Sequence, residues 1–258
     1  MSLRYAIIGV EGPHDQAFVG KVLEKLFEFK RFNGKKSELD TFWENFIPTY
    51  PKNGDLYKRL DMPSILFNQN LSVAIYAGGG TTLGPHLHAA IQNHSKYKTE
   101  IAAFGIVVDS DREPPNRVAK LYYDCFHEQF PNFPEQAGNV NTDSPPHTGI
   151  YVLPDNINQG VLDTLLCSCG EIAYPEYMNR ASTYIASFSN QERKNLEWAP
   201  FDHEKALIAT IVSVLMPGQT NTSSIARNKW VSPQTNDYVP AFTKFVEFIK
   251  LLLDLQLN

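Results

Sequence analysis

The carboxylates most capable of chemistry in this sequence lie in Phe104-Gly105-Ile106-Val107-Val108-Asp109-Ser110-Asp111-Arg112-Glu113. An uninterrupted run of apolar or small residues turns polar at once and presents two acids two residues apart. The run reads as a strand buried on both faces, as in a parallel sheet. Side chains at i and i+2 of an extended segment point the same way. Asp109 and Asp111 are therefore expected to converge above the strand's carboxyl end, the crevice in which open α/β sheets bind ligands. Two like charges held together raise each other's pKa unless a cation sits between them. The pattern predicts a Mg²⁺ or Mn²⁺ site, while a solvated turn whose acids cap the next helix accounts for an isolated Asp-x-Asp as well.

Two further segments end in chemistry-bearing residues. Arg4 to Val10 reads as a short apolar strand that breaks into Glu11-Gly12-Pro13-His14-Asp15. Helical spacing of Phe18, Val19, Val22, Leu23, Leu26 and Phe27 then predicts a helix over Gln16 to Phe29. Pro13 suits a helix's first turn, and Gly12 lets the backbone come close to whatever Glu11 faces. Leu71 to Tyr76 reads as a strand running into Ala77-Gly78-Gly79-Gly80-Thr81-Thr82 and a helix through Ile91. A glycine-rich loop feeding a helix N-terminus offers free backbone N–H groups and a positive dipole end, which suits phosphate. It lacks the Lys and spacing of a P-loop, and a tight turn capped by Thr81 or Thr82 explains it equally. His86 and His88 fall about 200° apart on a helix and are poor joint ligands.

The elements that must position these residues alternate strand and helix. Residues 30–63 read as an insertion, with a short amphipathic helix around Phe42, Trp43, Phe46 and Ile47 and punctuation by Pro48, Pro51 and Pro63. Its Lys30, Arg31, Lys35, Lys36, Lys52, Lys58 and Arg59 form either a polyanion-facing rim or a solvated face. Ser64 to Asn70 pairs with the following strand as a hairpin through Asn68-Gln69-Asn70. Pro114 and Pro115 open a helix through about Gln129, Pro131 to Pro146 is a polar loop, and Gly149 to Leu153 is a strand ending in Pro154-Asp155-Asn156. A helix over Gly160 to Cys169 carries Asp163 opposite its apolar side. Asp155 and Asp163 could add to the acidic cluster, although a first-turn acid also complements the helix dipole. From Ala173 the strand signal fades into helical stretches, Tyr174 to Phe188, His203 to Leu215 and Val239 to Leu255. The expected organisation is an α/β domain over 1–172 with a helical C-terminal extension over 173–258 packed on it.

With 258 residues the chain can bury a real core. A net charge of −5 and a pI near 5.8 argue against non-specific coating of nucleic acid, though not against a local basic groove. Three cysteines (Cys125, Cys167, Cys169) fit no closed disulfide framework and suit a reducing compartment. Cys167 and Cys169 are too close for a zinc knuckle and read as buried free thiols. No run approaches the roughly 20 apolar residues of a membrane span, and no signal-peptide pattern opens the chain. A soluble, cytoplasmic protein is expected.

The order of strand-Glu11-Gly12, strand-glycine loop and strand-Asp109-x-Asp111 resembles a Toprim domain. The segments VEGPHDQAFVGKVLEKL, IPTYP, VAIYAGGG, VVDSDREP, VLPDN, GVLDTLL and HEKALIATIVSVLMPG look like a family of uncharacterised bacterial Toprim-like proteins, related to the Toprim domains of overcoming-lysogenisation-defect nucleases. The resemblance covers nearly the whole chain. It implies a Toprim-like α/β fold with a mostly parallel central sheet and helices on both faces. It implies Mg²⁺ (or Mn²⁺) as cofactor, and nuclease or nucleotidyl-transferase chemistry on nucleic acid or a nucleotide. Carried over, Glu11 is the general acid/base and Asp109 and Asp111 are metal ligands, with Asp163 standing where related sequences place Glu. Gly12, Gly78, Gly79, Gly80, His14 and Arg112 are then the candidates for contacting phosphate, with Lys205 a weaker one. A non-catalytic Toprim module acting within a complex is the alternative.

Overall fold

A computed structural model describes residues 3–47, 49–50, 56 and 62–255. Pro48, Pro51, Lys52, Lys58 and Arg59 lie outside the described residues. Among the described residues seven strands, β1 (Arg4–Val10), β2 (Lys30–Arg31), β3 (Ser64–Phe67), β4 (Leu71–Ala77), β5 (Ala103–Asp109), β6 (Val140–Asn141) and β7 (His147–Leu153), make one sheet in the order β2-β3-β4-β1-β5-β7-β6. The four central strands β4, β1, β5 and β7 are parallel, and the short outer strands pair antiparallel. The helices are α1 (Pro13–Leu26), α2 (Leu83–Gln92), α3 (Lys96–Thr99), α4 (Pro115–Phe126), α5 (Leu162–Ala173), α6 (Pro175–Ala186), α7 (Asn190–Asn195), α8 (Asp202–Leu215), α9 (Asn221–Arg227), α10 (Pro233–Tyr238) and α11 (Pro240–Leu253). None of them is long and apolar enough to cross a membrane.

Continuous apolar strands arise because both faces of the sheet are covered. Alternate side chains of β1 go to opposite clusters: Ala6, Ile8 and Val10 to one, Ile7 to the other. The first cluster takes in α1 together with Leu165, Ile208, Phe245 and Ile249 from α5, α8 and α11. The second takes Leu87 of α2, Phe126 of α4 and the aromatic residues of the insertion. The helical C-terminal extension therefore shares one apolar cluster with the sheet and α1, rather than resting on a core of its own.

Several boundaries differ from the sequence reading, each for a local reason. The insertion's Phe42, Trp43, Phe46 and Ile47 are buried, but in a 3₁₀ turn over Thr41–Trp43 and the turns after it, not an amphipathic α-helix. Asp40 caps the Phe42 N–H at 2.8 Å, and Trp43 Nε1 donates to Ser72 Oγ at 2.9 Å, which holds the indole against the sheet. Helix α1 begins at Pro13 and stops at Leu26, before Glu28 takes a left-handed φ of 57°. Helix α4 ends at Phe126, short of Gln129, and the loop after it contributes the edge strand β6. Helix α5 cannot start at Gly160, whose N–H donates to Ser110 Oγ at 2.7 Å while its carbonyl accepts the Asp111 N–H at 2.9 Å. The hairpin through 68–70 forms as expected, with Asn68 Oδ1 accepting from Asn70 and Leu71 N–H, both at 2.9 Å.

Close approach of α11 to β5 rests on Gly105, where a Cβ would run into the Leu252 side chain. Gly105→Val is expected to cost roughly 1–3 kcal/mol by overpacking, and Leu252→Ala roughly 2–5 kcal/mol by cavity formation. Because the truncated Leu252 leaves room for the added side chain, the double variant should cost less than the sum in urea unfolding. Strict additivity would contradict this packing.

Candidate acidic site at the strand ends

The carboxyl ends of β1, β4 and β5 lie side by side, since Val10 is in register with Ala77 and with Val107. Glu11 leaves β1 half-buried. Burial raises its pKa from an ordinary 4.5 to about 7, helped by the charges of Asp15 and Asp111 and opposed by the Asp109 backbone N–H that it faces. Asp109 closes β5, and its Oδ1 accepts the Leu162 N–H at the start of α5 at 2.8 Å. Its pKa stands well above normal through burial, then through the charges of Asp15 and Glu11, against the pull of the Leu162 N–H. Asp163, in the first turn of α5, is also raised by burial, but His14 and Lys205 offset part of the effect.

Asp15 belongs to this set although its spacing from Glu11 did not mark it. It is only 7% exposed, and its Oδ2 accepts the Gly12 N–H at 2.9 Å. Its pKa is pushed up by burial and by the charge of Asp163, while the Gly12 and Asp15 backbone donors work the other way. The signal was Pro13: as the first helical residue it makes Asp15 a first-turn acid that can reach back to the residue before the helix. Tyr122 of α4 is a second residue not anticipated; its phenol is half-buried and its pKa raised by burial and by the charge of Glu11.

Other expectations need correction. β5 ends at Asp109, and Asp111 is exposed with a left-handed φ of 48°, so the two acids do not share a strand face. Asp111 instead bridges to Gly160, and its charge still reaches both Glu11 and Asp109. The glycine loop does not hold out free N–H groups. Gly78 N–H donates to the Val10 carbonyl and Gly79 and Gly80 N–H both donate to the Glu11 carbonyl, each at 2.9 Å. Gly12 N–H is likewise committed to Asp15. Asp155 stays out of the cluster, because it caps the turn through Ile157 and Asn158. His14 and Arg112 are exposed at the rim, and the Arg112 carbonyl accepts from Gln159 Nε2. Lys205 is exposed beside Asp202, at 3.5 Å. His86 is exposed and His88 lies against Phe126, neither near a joint ligand position.

The donor set is hard carboxylate oxygen, which suits Mg²⁺ and Mn²⁺. Among the described residues no Lys or Arg forms an ion pair with Glu11, Asp15, Asp109, Asp111 or Asp163. The mutual repulsion of Glu11, Asp15 and Asp109 is thus left for a proton or a metal ion to relieve. Among the same residues, no three His, Cys, Asp or Glu side chains already surround one metal-sized point. Mg²⁺ keeps several waters and needs only one or two carboxylates directly, so such a set fits it without being closed around it.

Charge in the cluster makes stability pH-dependent. Glu11 binds its proton more tightly folded than unfolded, so its contribution is most favourable below the ordinary pKa of 4.5 and declines as pH rises to about 7, staying low above that. Glu11→Gln should therefore match the wild type at about pH 5 and exceed it at about pH 7.5, by roughly 1–3 kcal/mol or a few degrees in Tm without metal. Thermal melts across this range decide it; a difference that does not vary with pH would remove the coupling.

No curated protein matches the chain. Among solved structures it is similar to the crystal structure of hypothetical protein PH0156 from Pyrococcus horikoshii OT3, with a TM-score of 0.52 and 17% identity over 97% of this chain and 98% of that one. That likeness shows a shared α/β fold. A family profile described as "Protein of unknown function (DUF3226)" matches residues 5–254, and the chain belongs to that family.

Proposed function

We propose that the chain carries Toprim-like, Mg²⁺- or Mn²⁺-dependent phosphodiester chemistry of nuclease or nucleotidyl-transferase type on nucleic acid or a nucleotide. Glu11 is the general acid/base, and Asp109 and Asp111 are metal ligands joined by Asp163. The observation that carries this reading is the convergence of Glu11, Asp15 and Asp109 from separate elements on one strand-end crevice, with their charges mutually uncompensated. A divalent ion bound there would neutralise developing charge on a phosphate and activate an oxygen nucleophile.

The chain's own groups divide the remaining work. Glu11, with a pKa near 7, can hold or release a proton at neutral pH, as a general acid/base requires. Asp109 is oriented by the Leu162 N–H, which fixes its Oδ1. Asp15 brings a further carboxylate to the same place. With the glycine N–H groups engaged internally, contact with substrate phosphate falls to His14 and Arg112, with Lys205 beyond Asp163. Cys125, Cys167 and Cys169 are all free thiols, in keeping with a cytoplasmic protein.

A binding module without turnover is the second reading. It needs the same acids and the same metal but no proton transfer by Glu11. Incubation with Mn²⁺ or Mg²⁺ and plasmid, single-stranded DNA, RNA or nucleotides separates the two. The enzyme reading expects a product that Glu11→Gln abolishes; its absence on every substrate leaves the binding reading.

Both readings share a metal requirement. Metal at about a hundredfold over Kd should stabilise the native state by about 2.7 kcal/mol, raising Tm by roughly 5 °C or more. Asp109→Asn should remove that gain. A wild type unmoved by millimolar Mg²⁺ and Mn²⁺ would defeat both.

A further inference from the structure

We infer that the glycine loop Gly78–Gly80 is a positioning device for Glu11, acting through the Glu11–Gly12 peptide; its bearing on catalysis rests on the function proposed above. This one peptide is held at both ends. Its carbonyl accepts the Gly79 and Gly80 N–H groups at 2.9 Å, and its N–H donates to Asp15 Oδ2 at 2.9 Å. Orientation of that plane fixes ψ of Glu11, and with it the direction in which the carboxyl leaves the end of β1.

Every feature of the loop serves that grip. Gly78 N–H extends the β1–β4 ladder by bonding the Val10 carbonyl, one step beyond the pair Val10 and Ala77. Gly79 and Gly80 then take left-handed φ values of 77° and 67°, which turn two successive N–H groups onto one oxygen. Thr82 Oγ1 donates back to the Gly78 and Gly79 carbonyls at 2.6 and 3.1 Å, closing the loop on itself. No side chain fits at Gly78, whose Cβ would run into the Leu83 backbone. Helix α2, which follows, packs Gly84 against Cys125 and Tyr122 of α4. The frame thus reaches from the loop to Tyr122, whose phenol feels the charge of Glu11. Gly80 itself is constrained only by its backbone, because a Cβ there meets nothing within 4 Å.

That last fact supplies a clean test. Gly80→Val opposes the left-handed conformation, whereas Gly80→Asn tolerates it. Thr82→Val loosens the loop with no change in backbone preference. The readouts are the Glu11 side-chain carboxyl ¹³C resonance at one fixed pH, assigned by its loss in Glu11→Gln, and Mn²⁺ affinity by calorimetry. Gly80→Val should move the resonance and weaken Mn²⁺ binding roughly tenfold, as loss of an orienting contact does, and Gly80→Asn should restore both. Thr82→Val should move the resonance in the same direction, and it decides the matter if Gly80→Val does not fold. A resonance unmoved in the folded variants, or a shift that Gly80→Asn fails to reverse, overturns the positioning role. A wild type that takes up no Mn²⁺ overturns the metal reading alone, since the resonance needs no metal.

Discussion

The structure turns on carboxylates buried beside one another with backbone N–H groups, not cations, as their anchors. Asp109 leans on Leu162, Asp15 on Gly12, and Glu11 faces the Asp109 N–H. A backbone donor orients an acid without cancelling its charge, so repulsion remains. For Glu11 the displacement from 4.5 to about 7 corresponds to at most about 3 kcal/mol. Against a total stability of roughly 5–15 kcal/mol that is a substantial fraction. Two apolar clusters, one on each face of the sheet, have to absorb it.

Topology explains why the strain collects where it does. From β1 the chain goes out to β2 and returns through β3 to β4 on one side, then crosses to β5 on the other. The connections therefore diverge at β1, and open α/β sheets leave a crevice at such a reversal. Glu11 emerges at the reversal itself, the glycine loop on one flank and Asp109 on the other. The covering helices contribute through their first turns: α1 supplies Asp15, and α5 supplies the Leu162 N–H and Asp163.

Much of this was legible from residue patterns because burial on both faces leaves a strong trace. The runs of β1, β4, β5 and β7 announced themselves as mostly apolar segments, and Glu11 and Asp109 were found by where the runs of β1 and β5 stop. What failed was anything decided by a dihedral or by a partner distant in sequence. Asp111 obeys the i, i+2 rule only if the strand continues, and Gly160, 49 positions on, ends it by bonding the Asp111 N–H. The glycines were correctly a turn before a helix, but which acceptor their N–H groups would meet depends on β1 lying alongside β4. Asp15 was hidden by a helix start placed three residues late. The insertion's aromatic residues were rightly apolar anchors, whereas their 3₁₀ backbone depends on the Asp40 cap and on Ser72.

The acids are not equivalent in the charges that surround them. Asp163 already feels His14 and Lys205, so part of its charge is answered from the rim. Asp109, by contrast, feels Asp15, Glu11 and Asp111, all of the same sign. On the function proposed above, a cation entering the site would gain more beside Asp109 than beside Asp163. A phosphate arriving with that cation would compete with Asp163 for His14 and Lys205, and the freed Asp163 would then add its charge to the cluster holding the metal. Metal and anion would in that way each favour the other's binding, through the charge of Asp163, which is felt by Asp15 and answered by His14 and Lys205.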